Sequence, residues 1–295
     1  MRSIIQWLSG GVLGAILLFW FLTRPVLLSP GDLPDHEADL VNGELIFYAG
    51  GCASCHGDEL GGGLEMNSDF GTFRVPNISP DPVSGIGDWT TLEFVNAMTR
   101  GVSPDGNHYY PAFPYTSYAR MKVQDVIDLK AYIDSLAPVS YSVAAHELHF
   151  PWNLRRGIGL WKKRYFKQRA IIEVNSDDPS FARGRYLVEG PGHCAECHTP
   201  RDRFGGLIIS QWLTGGPSPD GEGKVPNITP HEDGLKSWTK KDIAYFLESG
   251  FLPDFDMVGG SMVEVQENMA HLPDSDREAI AVYLKTIPAR PDPGE

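Results

Sequence analysis

All four cysteines of this chain lie in two short strings, CASCH at residues 52–56 and CAECH at residues 194–198. Each string has C-x-x-C-H spacing, in which two thiols can form thioether bonds to one porphyrin edge while the adjacent histidine binds the iron. The spacing therefore predicts two covalently attached haem c groups and one-electron chemistry. The residues that would hold them are Cys52, Cys55, His56, Cys194, Cys197 and His198.

Other uses of paired cysteines fit this pattern less well. A four-cysteine zinc site would place the pairs closer together and needs no histidine after each pair. A thioredoxin-like redox pair would lie in a βαβ unit, whereas glycine-rich loops and short helical patterns surround these strings. Structural disulfides are the alternative if haem is never attached. No cysteine is left over for other chemistry.

The N-terminal region contains a long uncharged apolar run from Ile4 to Leu22. At the helical rise this run matches the ~30 Å hydrocarbon core of a bilayer, which predicts a transmembrane helix. Trp7 and Trp20 lie near its ends, as interfacial aromatic residues do. A cleaved secretory signal is the alternative, but the run is longer than a usual signal core and no good cleavage sequence follows it.

The charge of the chain is distributed unevenly. The formal net charge is −13, yet residues 155–169 contain seven basic residues and no acidic residue. The rest of the chain is therefore strongly acidic, which disfavours nucleic-acid binding and favours basic protein partners. Two interpretations of the basic stretch stay open. It lies near an anionic membrane surface, or it packs across both halves with its basic side chains paired to acidic faces.

The two halves of the chain repeat one order of motifs. Each C-x-x-C-H string is followed by VPNI, at residues 75–78 and 225–228, and then by Trp-Thr, at residues 89–90 and 238–239. An apolar-periodic stretch follows each Trp-Thr pair, and each half ends in an amphipathic helix pattern. These helix predictions cover residues 92–98, 123–136, 243–247 and 275–286. The repeat indicates that one fold is used twice.

This order of helix, haem string, loop, middle helix, ligand loop and last helix resembles the class I cytochrome c fold. The VPNI strings, HYYPAFPYTSYARM at residues 108–121 and GGSM at residues 259–262 are similar to membrane-anchored dihaem cytochromes and to cytochrome subunits of periplasmic alcohol and sugar-acid dehydrogenases. Those subunits often carry three haems, whereas this chain has two haem strings. The resemblance implies a mainly α fold with an N-terminal transmembrane helix followed by two tandem class I cytochrome c domains.

The resemblance also implies a domain organisation and a location. We expect a transmembrane anchor at residues 1–30, a first cytochrome c domain at 31–140, a basic and aromatic linker at 141–178 and a second cytochrome c domain at 179–295. Because this family attaches haem outside the bacterial cytoplasmic membrane, the chain is expected to cross that membrane once and to hold its haem domains in the periplasm.

The resemblance further implies close helix crossings and a partner for each haem histidine. In this family the first and last helices of a domain cross where a glycine faces an aromatic residue. Gly43 with Tyr132, and Gly184 with Tyr283, would fill these roles. A proline carbonyl after the haem string accepts the ring N–H of the histidine, and the residues for this role are Pro76 and Pro226.

A methionine is expected to complete each iron, because His–Met ligation gives the raised potential of a cytochrome c. In the first half the ligand loop leads into Met121, directly before the last helix, and Met121 is the predicted ligand. In the second half the resemblance implies Met262, with Met269 as its rival. Residues with weaker claims as ligands are Met66, Met98, His108 and Met257. Residues that could contact haem propionates, or instead cap helices or fill the core, are Trp89, Arg100 and Trp238.

Together these features predict an electron-transfer protein that is not itself an enzyme. We expect it to relay single electrons in a respiratory chain, from a dehydrogenase or a quinol-oxidising complex to an acceptor cytochrome or oxidase. One alternative is the electron-accepting subunit of a periplasmic dehydrogenase complex. The other is a dihaem peroxidase-type enzyme, which would need one iron without a firm sixth ligand.

Overall fold

The computed structural model describes residues 2–174, 176–218 and 223–294, with the backbone alone described for residues 2–9. The helices, in chain order, are α1 (Arg2–Leu22), α2 (Leu40–Ala49), α3 (Cys52–His56), α4 (Thr91–Arg100), α5 (Tyr115–Tyr118), α6 (Val123–Asp134), α7 (Ile158–Tyr165), α8 (Pro179–Glu189), α9 (Ala195–His198), α10 (Lys240–Ser249), α11 (Met262–Ala270) and α12 (Asp274–Thr286). The strands are β1 (Glu65–Ser68), β2 (Gly71–Arg74), β3 (Glu147–Leu148), β4 (Gly216–Pro217) and β5 (Lys224–Val225). The four helices predicted from periodicity correspond to α4, α6, α10 and α12.

The middle helix of each half begins and ends with the same local signals. α4 begins after Thr90, whose side chain forms a capping box with Glu93, and it ends at Gly101, where φ is 60°. α10 repeats this start after Thr239 and this end at Gly250, where φ is 77°. The cap satisfies N–H groups that lack helical partners, and glycine adopts the left-handed backbone without strain. The repeated Trp-Thr motif therefore marks a repeated helix start.

In each half the first and last helices cross at a glycine. α2 crosses α6, and a Cβ on Gly43 would lie 2.8 Å from the Cβ of Tyr132. α8 crosses α12, and a Cβ on Gly184 would lie 2.9 Å from the Cβ of Tyr283. Helices at this separation leave no room for a larger residue. The close crossings that the resemblance implied are confirmed.

Each half builds its own hydrophobic core, and the two cores touch. Val126 and Leu129 of α6 are buried in the first core, and Phe181 and Leu187 of α8 are buried in the second. Burial of each such side chain contributes about 1.5–3 kcal/mol to folding. Ala49, at the end of α2, belongs to the second core. The last residue of the helix that precedes the first haem string thus packs in the opposite half.

A small sheet ties the predicted linker to the first half. β1 and β2 form a hairpin, and β3, from residues 147–148, pairs antiparallel with β2. Periodicity did not predict these strands, because each is only two to four residues long. The chain after the first half therefore returns to pack on that half before it enters the second.

The end of α1 is bound to the first half by hydrogen bonds. His108 Nε2 lies 2.8 Å from the carbonyl oxygen of Thr23. Further along, Leu28 N donates to Asn96 Oδ1 at 2.8 Å, and Asn96 lies on α4. These contacts fix the direction in which α1 leaves the first half.

Among the residues whose side chains the structure describes, no helix is both long enough and apolar enough to cross a membrane. The predicted transmembrane run from Ile4 to Leu22 forms most of α1, and the side chains of its residues 4–9, Trp7 included, lie outside the described ones.

Candidate functional site

The first C-x-x-C-H string forms the short helix α3. It begins after Gly51, where φ is 54°, and ends at Gly57, where φ is 77°, and both backbone conformations favour glycine. Cys52 and Cys55 are three residues apart and therefore lie on one face of this turn. Burial raises the pKa of Cys52 to about 12 and also raises that of Cys55. Both groups are therefore protonated thiols at neutral pH.

The second string has the same arrangement. Cys194 directly precedes α9, and His193, with a φ of 37°, occupies the place that Gly51 has in the first half. Histidine is one of the few residues other than glycine that are enriched in this region. Burial raises the pKa of Cys194 to about 12. His198, at the end of α9, is only 8% exposed.

Each haem histidine lies against a proline carbonyl. His56 Nδ1 is 2.7 Å from the oxygen of Pro76, and His198 Nδ1 is 2.8 Å from the oxygen of Pro226. A carbonyl can only accept, so Nδ1 carries the proton and Nε2 has a lone pair free for a metal. Burial lowers the pKa of His56 to about 4 despite this hydrogen bond, and it also lowers the pKa of His198. Both imidazoles are therefore neutral at physiological pH.

An asparagine in each VPNI string holds the proline loop in place. Asn77 Nδ2 donates to Val139 O at 2.7 Å, and Asn227 Nδ2 donates to Arg290 O at 2.9 Å. Each loop is thereby tied to the chain that follows the last helix of its half. Sequence reasoning gave these asparagines no role, although their repetition at equivalent positions was an available signal.

A left-handed glycine joins each string to its proline loop. Gly62 N donates to His56 O, and Gly215 N donates to His198 O, both at 2.8 Å. Their φ values are 72° and 79°. A Cβ on Gly62 would lie 2.4 Å from the carbonyl oxygen of Pro76. Only glycine permits this approach, and sequence reasoning also missed this pair.

The predicted methionine ligands have different surroundings. Met121 is 6% exposed and packs in the first core with Met98, and Cys52 packs against the same cluster. Met262 is half-buried and begins α11, whereas Met269 is buried in the second core. The choice of methionine for each histidine therefore stays a prediction.

The weaker ligand candidates have defined positions of their own. Met66 lies opposite Phe73 in the β1–β2 hairpin, and His108 is bonded to Thr23. Met257 is 62% exposed.

The candidates for propionate contacts have structural surroundings. Trp89 packs against the first core and Trp238 against the second. Arg100 Nη1 donates to Gln168 Oε1 at 2.7 Å, while its buried Nε has no hydrogen-bond partner among the described residues.

The donor chemistry fits covalently bound haem. Within the described residues, no three His, Cys, Asp or Glu side chains are arranged to hold a metal ion, so the two cysteine pairs do not meet at one zinc site. The cysteines are thiols and not disulfides. In the same part of the chain no hydrogen bond engages Nε2 of His56 or His198. Two thiols on one turn beside an available imidazole nitrogen form the donor set of a c-type haem site.

The third residue of each string contacts the opposite half. Glu196 Oε1 accepts hydrogen bonds from Thr116 Oγ1 and Ser117 Oγ, both at 2.9 Å. In the reverse direction, Ser54 Oγ accepts a hydrogen bond from Asn268 Nδ2 at 3.1 Å. The partners lie on α5 and α11, which hold equivalent places before the last helix of each half. Both haem strings therefore lie at the interface between the halves.

Two ring stacks accompany these hydrogen bonds. Tyr118 stacks on His193 with ring centroids 5.6 Å apart, and Tyr48 stacks on His271 at 3.8 Å with nearly parallel planes. Burial raises the pKa of Tyr118, and its hydroxyl lies close enough to Cys52 that a thiolate there would raise this pKa further. Tyr118 thus lies between the first string and the residue that precedes the second.

Glu196 stays ionised within this interface. Burial opposes its charge, but Arg201 Nη2 lies 2.5 Å from Oε2 and, with the hydroxyl of Thr116, lowers the pKa of Glu196 below its usual value. A buried carboxylate with a full set of partners is costly to disturb, because removing one partner leaves a desolvated charge.

Comparison with known proteins places these features in context. A family model described as cytochrome c matches residues 40–137. Over 297 aligned residues the chain is 48% identical to a protein of Cereibacter sphaeroides named "Diheme cytochrome c-type", and the alignment covers 98% of this chain and 99% of that protein.

Two longer proteins are also similar. The chain is 35% identical to the cytochrome c subunit of alcohol dehydrogenase (quinone) from Gluconobacter oxydans, over 87% of this chain and 56% of that subunit. It is 32% identical to the fructose dehydrogenase cytochrome subunit of Gluconobacter japonicus, over 88% of this chain and 55% of that subunit. The chain thus spans little more than half the length of these two relatives.

Proposed function

Because this chain belongs to the dihaem c-type cytochromes and carries two covalently bound haem c groups, we propose that it is a membrane-anchored relay for single electrons in the bacterial periplasm. Haem iron supplies reversible one-electron chemistry. The observation that carries the proposal is that both haem strings lie at one interface, with the third residue of each bonded to the opposite half.

The residues of each string would hold the cofactor as follows. Cys52 and Cys55, with Cys194 and Cys197 in the second half, would form the thioethers. His56 and His198 would provide the proximal nitrogen. The carbonyls opposite Nδ1 fix the tautomer and ring direction of each histidine, and such partners strengthen a ligating imidazole.

Methionine sulfur would complete both coordination shells, from Met121 in the first half and from Met262 in the second. The burial of Met121 beside Cys52 supports the first assignment. The second rests on the GGSM motif, and Met269 is its rival. Six-coordinate iron changes oxidation state without exchanging ligands and excludes small molecules. This property distinguishes a relay from a peroxidase.

The interface supports transfer within the molecule. Hydrogen bonds on both sides and two ring stacks hold the strings in a fixed relation. Electrons would therefore pass between the halves without a diffusional encounter. We further propose that the halves are two tandem class I cytochrome c domains, at residues 31–140 and 179–295, joined by the 141–178 linker.

Membrane anchoring is the next part of the proposal. The apolar side chains of α1 from Val12 to Leu22 are exposed, with Leu17 and Phe21 at 61% each. No charged residue interrupts the run from Ile4 to Leu22. A bilayer would cover this surface, and the halves would then lie on its periplasmic side.

The partners are proposed from the relatives. Two similar proteins are named as cytochrome subunits of dehydrogenases, which favours a dehydrogenase as the electron donor. A quinol-oxidising complex is the alternative donor, and the acceptor would be another cytochrome or an oxidase. The acidic surface of the chain favours a basic partner face.

The test is a titration of the purified full-length holoprotein with cyanide and carbon monoxide, followed by visible spectroscopy. We expect two low-spin haems that bind neither ligand readily. A high-spin haem that binds both would contradict the relay and favour the peroxidase. Mass analysis provides the control, since two covalent haem additions must be present before the spectra are interpreted.

A further inference from the structure

The segment at residues 150–164 adjoins the end of α1. Arg156 Nη2 donates to Trp20 O at 2.8 Å, and its Nε donates to Thr23 Oγ1 at 3.0 Å. The Arg156 guanidinium also lies over the Trp20 ring, 4.5 Å from its centroid. A Cβ on Gly159 would lie 2.7 Å from the Cα of Thr23, so α7 packs directly on the chain that leaves α1. The segment therefore lies where the proposed anchor meets the periplasmic part of the protein.

One side of the 150–164 segment packs on both halves. Lys162 Nζ donates to the carbonyl oxygens of Arg100 and Gly101, at 2.8 and 2.7 Å, at the end of α4. Trp161 Nε1 donates to Phe204 O in the second half at 2.9 Å. These contacts make the segment a fixed part of the fold and determine which of its side chains face outward.

The outward side combines large apolar and basic residues. Phe150 is 77% exposed, Leu154 58% and Leu160 45%. Lys163 and Arg164 are also exposed. Apolar side chains that alternate with cations are typical of protein surfaces that lie in the headgroup layer of a bilayer.

Few of the basic side chains in this region are paired to acidic groups. Of the seven between residues 155 and 169, only Arg169 forms a salt bridge to a carboxylate within the described structure, at 3.9 Å to its near neighbour Glu173. Arg164 also lies within electrostatic range of Asp202 in the second half, and the other five basic side chains form no salt bridge within the described structure. The segment packs on both halves, as the second interpretation drawn from the sequence expects, but the extensive pairing of its basic side chains to acidic faces is not seen within the described residues.

We propose that the 150–164 segment is a membrane-contacting surface that binds the anionic phospholipid headgroups around the exit of α1. The proposal rests on the membrane anchoring advanced above. Its exposed apolar side chains would enter the headgroup layer, while Lys163 and Arg164 would meet lipid phosphates. The acidic remainder of the molecule would be repelled from the same surface, which orients the protein.

The test uses the full-length holoprotein in bilayer nanodiscs made from phosphatidylglycerol or from phosphatidylcholine, compared by hydrogen–deuterium exchange. We expect amides of residues 158–165 to exchange about five-fold more slowly in the anionic discs at low salt, with the difference lost at high salt. Exchange at residues 240–249 should be the same in both lipids. Equal exchange of residues 158–165 in the two lipids would overturn the proposal.

A matched pair of variants tests the charge directly. Lys163→Glu with Arg164→Glu should abolish the lipid difference, whereas Lys240→Glu with Lys241→Glu, an equal charge change at exposed sites on the second half, should preserve it. Retention of the difference in the first pair, or its loss in both pairs, would contradict headgroup binding. The haem spectrum checks that each variant is folded.

An alkaline carbonate wash distinguishes a failure of the contact surface from a failure of the membrane anchor on which the surface depends. Release of the chain from vesicles by the wash would overturn the anchor and, with it, the contact surface. Retention of the chain without lipid-dependent protection would overturn the surface alone.

Discussion

The ligand loops of the two halves, residues 102–121 and 251–262, share their local geometry but differ in their surroundings. Each begins after a left-handed glycine and contains an isolated β-bridge between residues six positions apart, 102 with 108 and 251 with 257. In the first loop, His108 is 4% exposed and is bonded to Thr23 at the end of α1. In the second, Phe255 is 89% exposed and Met257 62%.

This difference means that the two halves expose different surfaces around similar loops. The first ligand loop is covered by the end of α1 and by the segment between the halves, where Tyr110 Oη donates to Trp152 O at 2.9 Å. The second loop has no such cover among the described residues and presents apolar side chains to solvent. On the proposed anchoring by α1, partners that approach from solution would meet the second half, whereas the first half would face the membrane.

The largest expected effect is a loss of stability where the first and last helices of each half cross. It allows the packing of the two halves to be compared. An alanine Cβ at residue 184 would lie 1.9 Å from Ala279 O, and one at residue 43 would lie 2.2 Å from Asp128 O. Because backbone must move in both cases, Gly184→Ala and Gly43→Ala should each lower the free energy of unfolding by about 3 kcal/mol. Denaturant unfolding followed by circular dichroism measures this.

The control for both substitutions is Gly31→Ala, since a Cβ on Gly31 would have no atom within 4 Å. It should leave the unfolding midpoint unchanged. Equal stability of all three variants would show that the helices separate more easily than their packing indicates.

The next prediction is a spectral change on replacing the methionines proposed as ligands, one in each half. Met121→Ala and Met262→Ala should each remove the sulfur-to-iron charge-transfer band of one oxidised haem, because the coordinating sulfur is lost. Visible spectroscopy of the purified holoproteins measures the band. Met257→Ala is the control and should keep both bands. An unchanged spectrum for Met262→Ala would transfer the assignment to Met269, and for Met121→Ala it would point to Met98.

A smaller loss of stability is expected from removing the hydrogen bonds that the third residue of each haem string forms across the interface. Glu196→Ala should lower the free energy of unfolding by about 2 kcal/mol, since it removes the carboxylate that accepts hydrogen bonds from Arg201 and from two hydroxyls. Ser54→Ala, which removes one neutral hydrogen bond at the equivalent position, should cost about 0.5–1 kcal/mol. Thermal unfolding of the two variants measures the difference. A larger loss for Ser54→Ala would contradict the ranking.

The smallest expected effect is a pH dependence of stability that arises from Lys162, in the segment between the halves. Burial lowers the pKa of Lys162 to about 7 in the folded protein. Below pH 7 the ammonium is charged in both states, and its burial penalty is fully present. As the pH rises from 7 towards the unfolded pKa of about 10.4, the folded state loses this proton first, so stability should increase by about 1–2 kcal/mol.

Lys162→Met should flatten this rise, whereas Lys163→Met, at an exposed neighbouring position, should retain it. Chemical denaturation at several pH values between about 7 and 9.5 measures both slopes, a range taken from the two pKa values of the lysine. A rise that survives in Lys162→Met would assign the dependence to another group.

The sequence repeat predicted local elements better than contacts between the halves. The helices after Thr90 and Thr239 and the crossings at Gly43 and Gly184 follow from capping signals, periodicity and family resemblance, all of which are local or repeated. The haem strings were likewise evident from their spacing. Pairs such as Ser54 with Asn268 are 214 positions apart, and no periodicity links such residues.

Other features were missed because their cause is three-dimensional. The requirement for glycine at residue 62 arises only when Pro76 O is brought against it by the folded loop. The assignment of the second methionine stays open for a related reason, since Met262 and Met269 lie two turns apart on the same side of α11 and the sequence does not say which end of the helix is near the histidine. The 150–164 segment stands out in the sequence because it is rich in basic and aromatic residues, but only the packing shows which of its side chains point outward.

The hydrogen bonds that join Thr23 to His108 and Leu28 to Asn96 have a consequence for molecular collisions. A protein held to a membrane by a flexible linker can present any side to its neighbours, whereas in this chain α1 joins the first half along a fixed path. With α1 as the proposed anchor, the electron-carrying centres would remain at a constant height above the lipid and turn only about the helix axis. Encounters with other membrane-bound oxidoreductases would be confined to two dimensions, with productive orientation selected in advance.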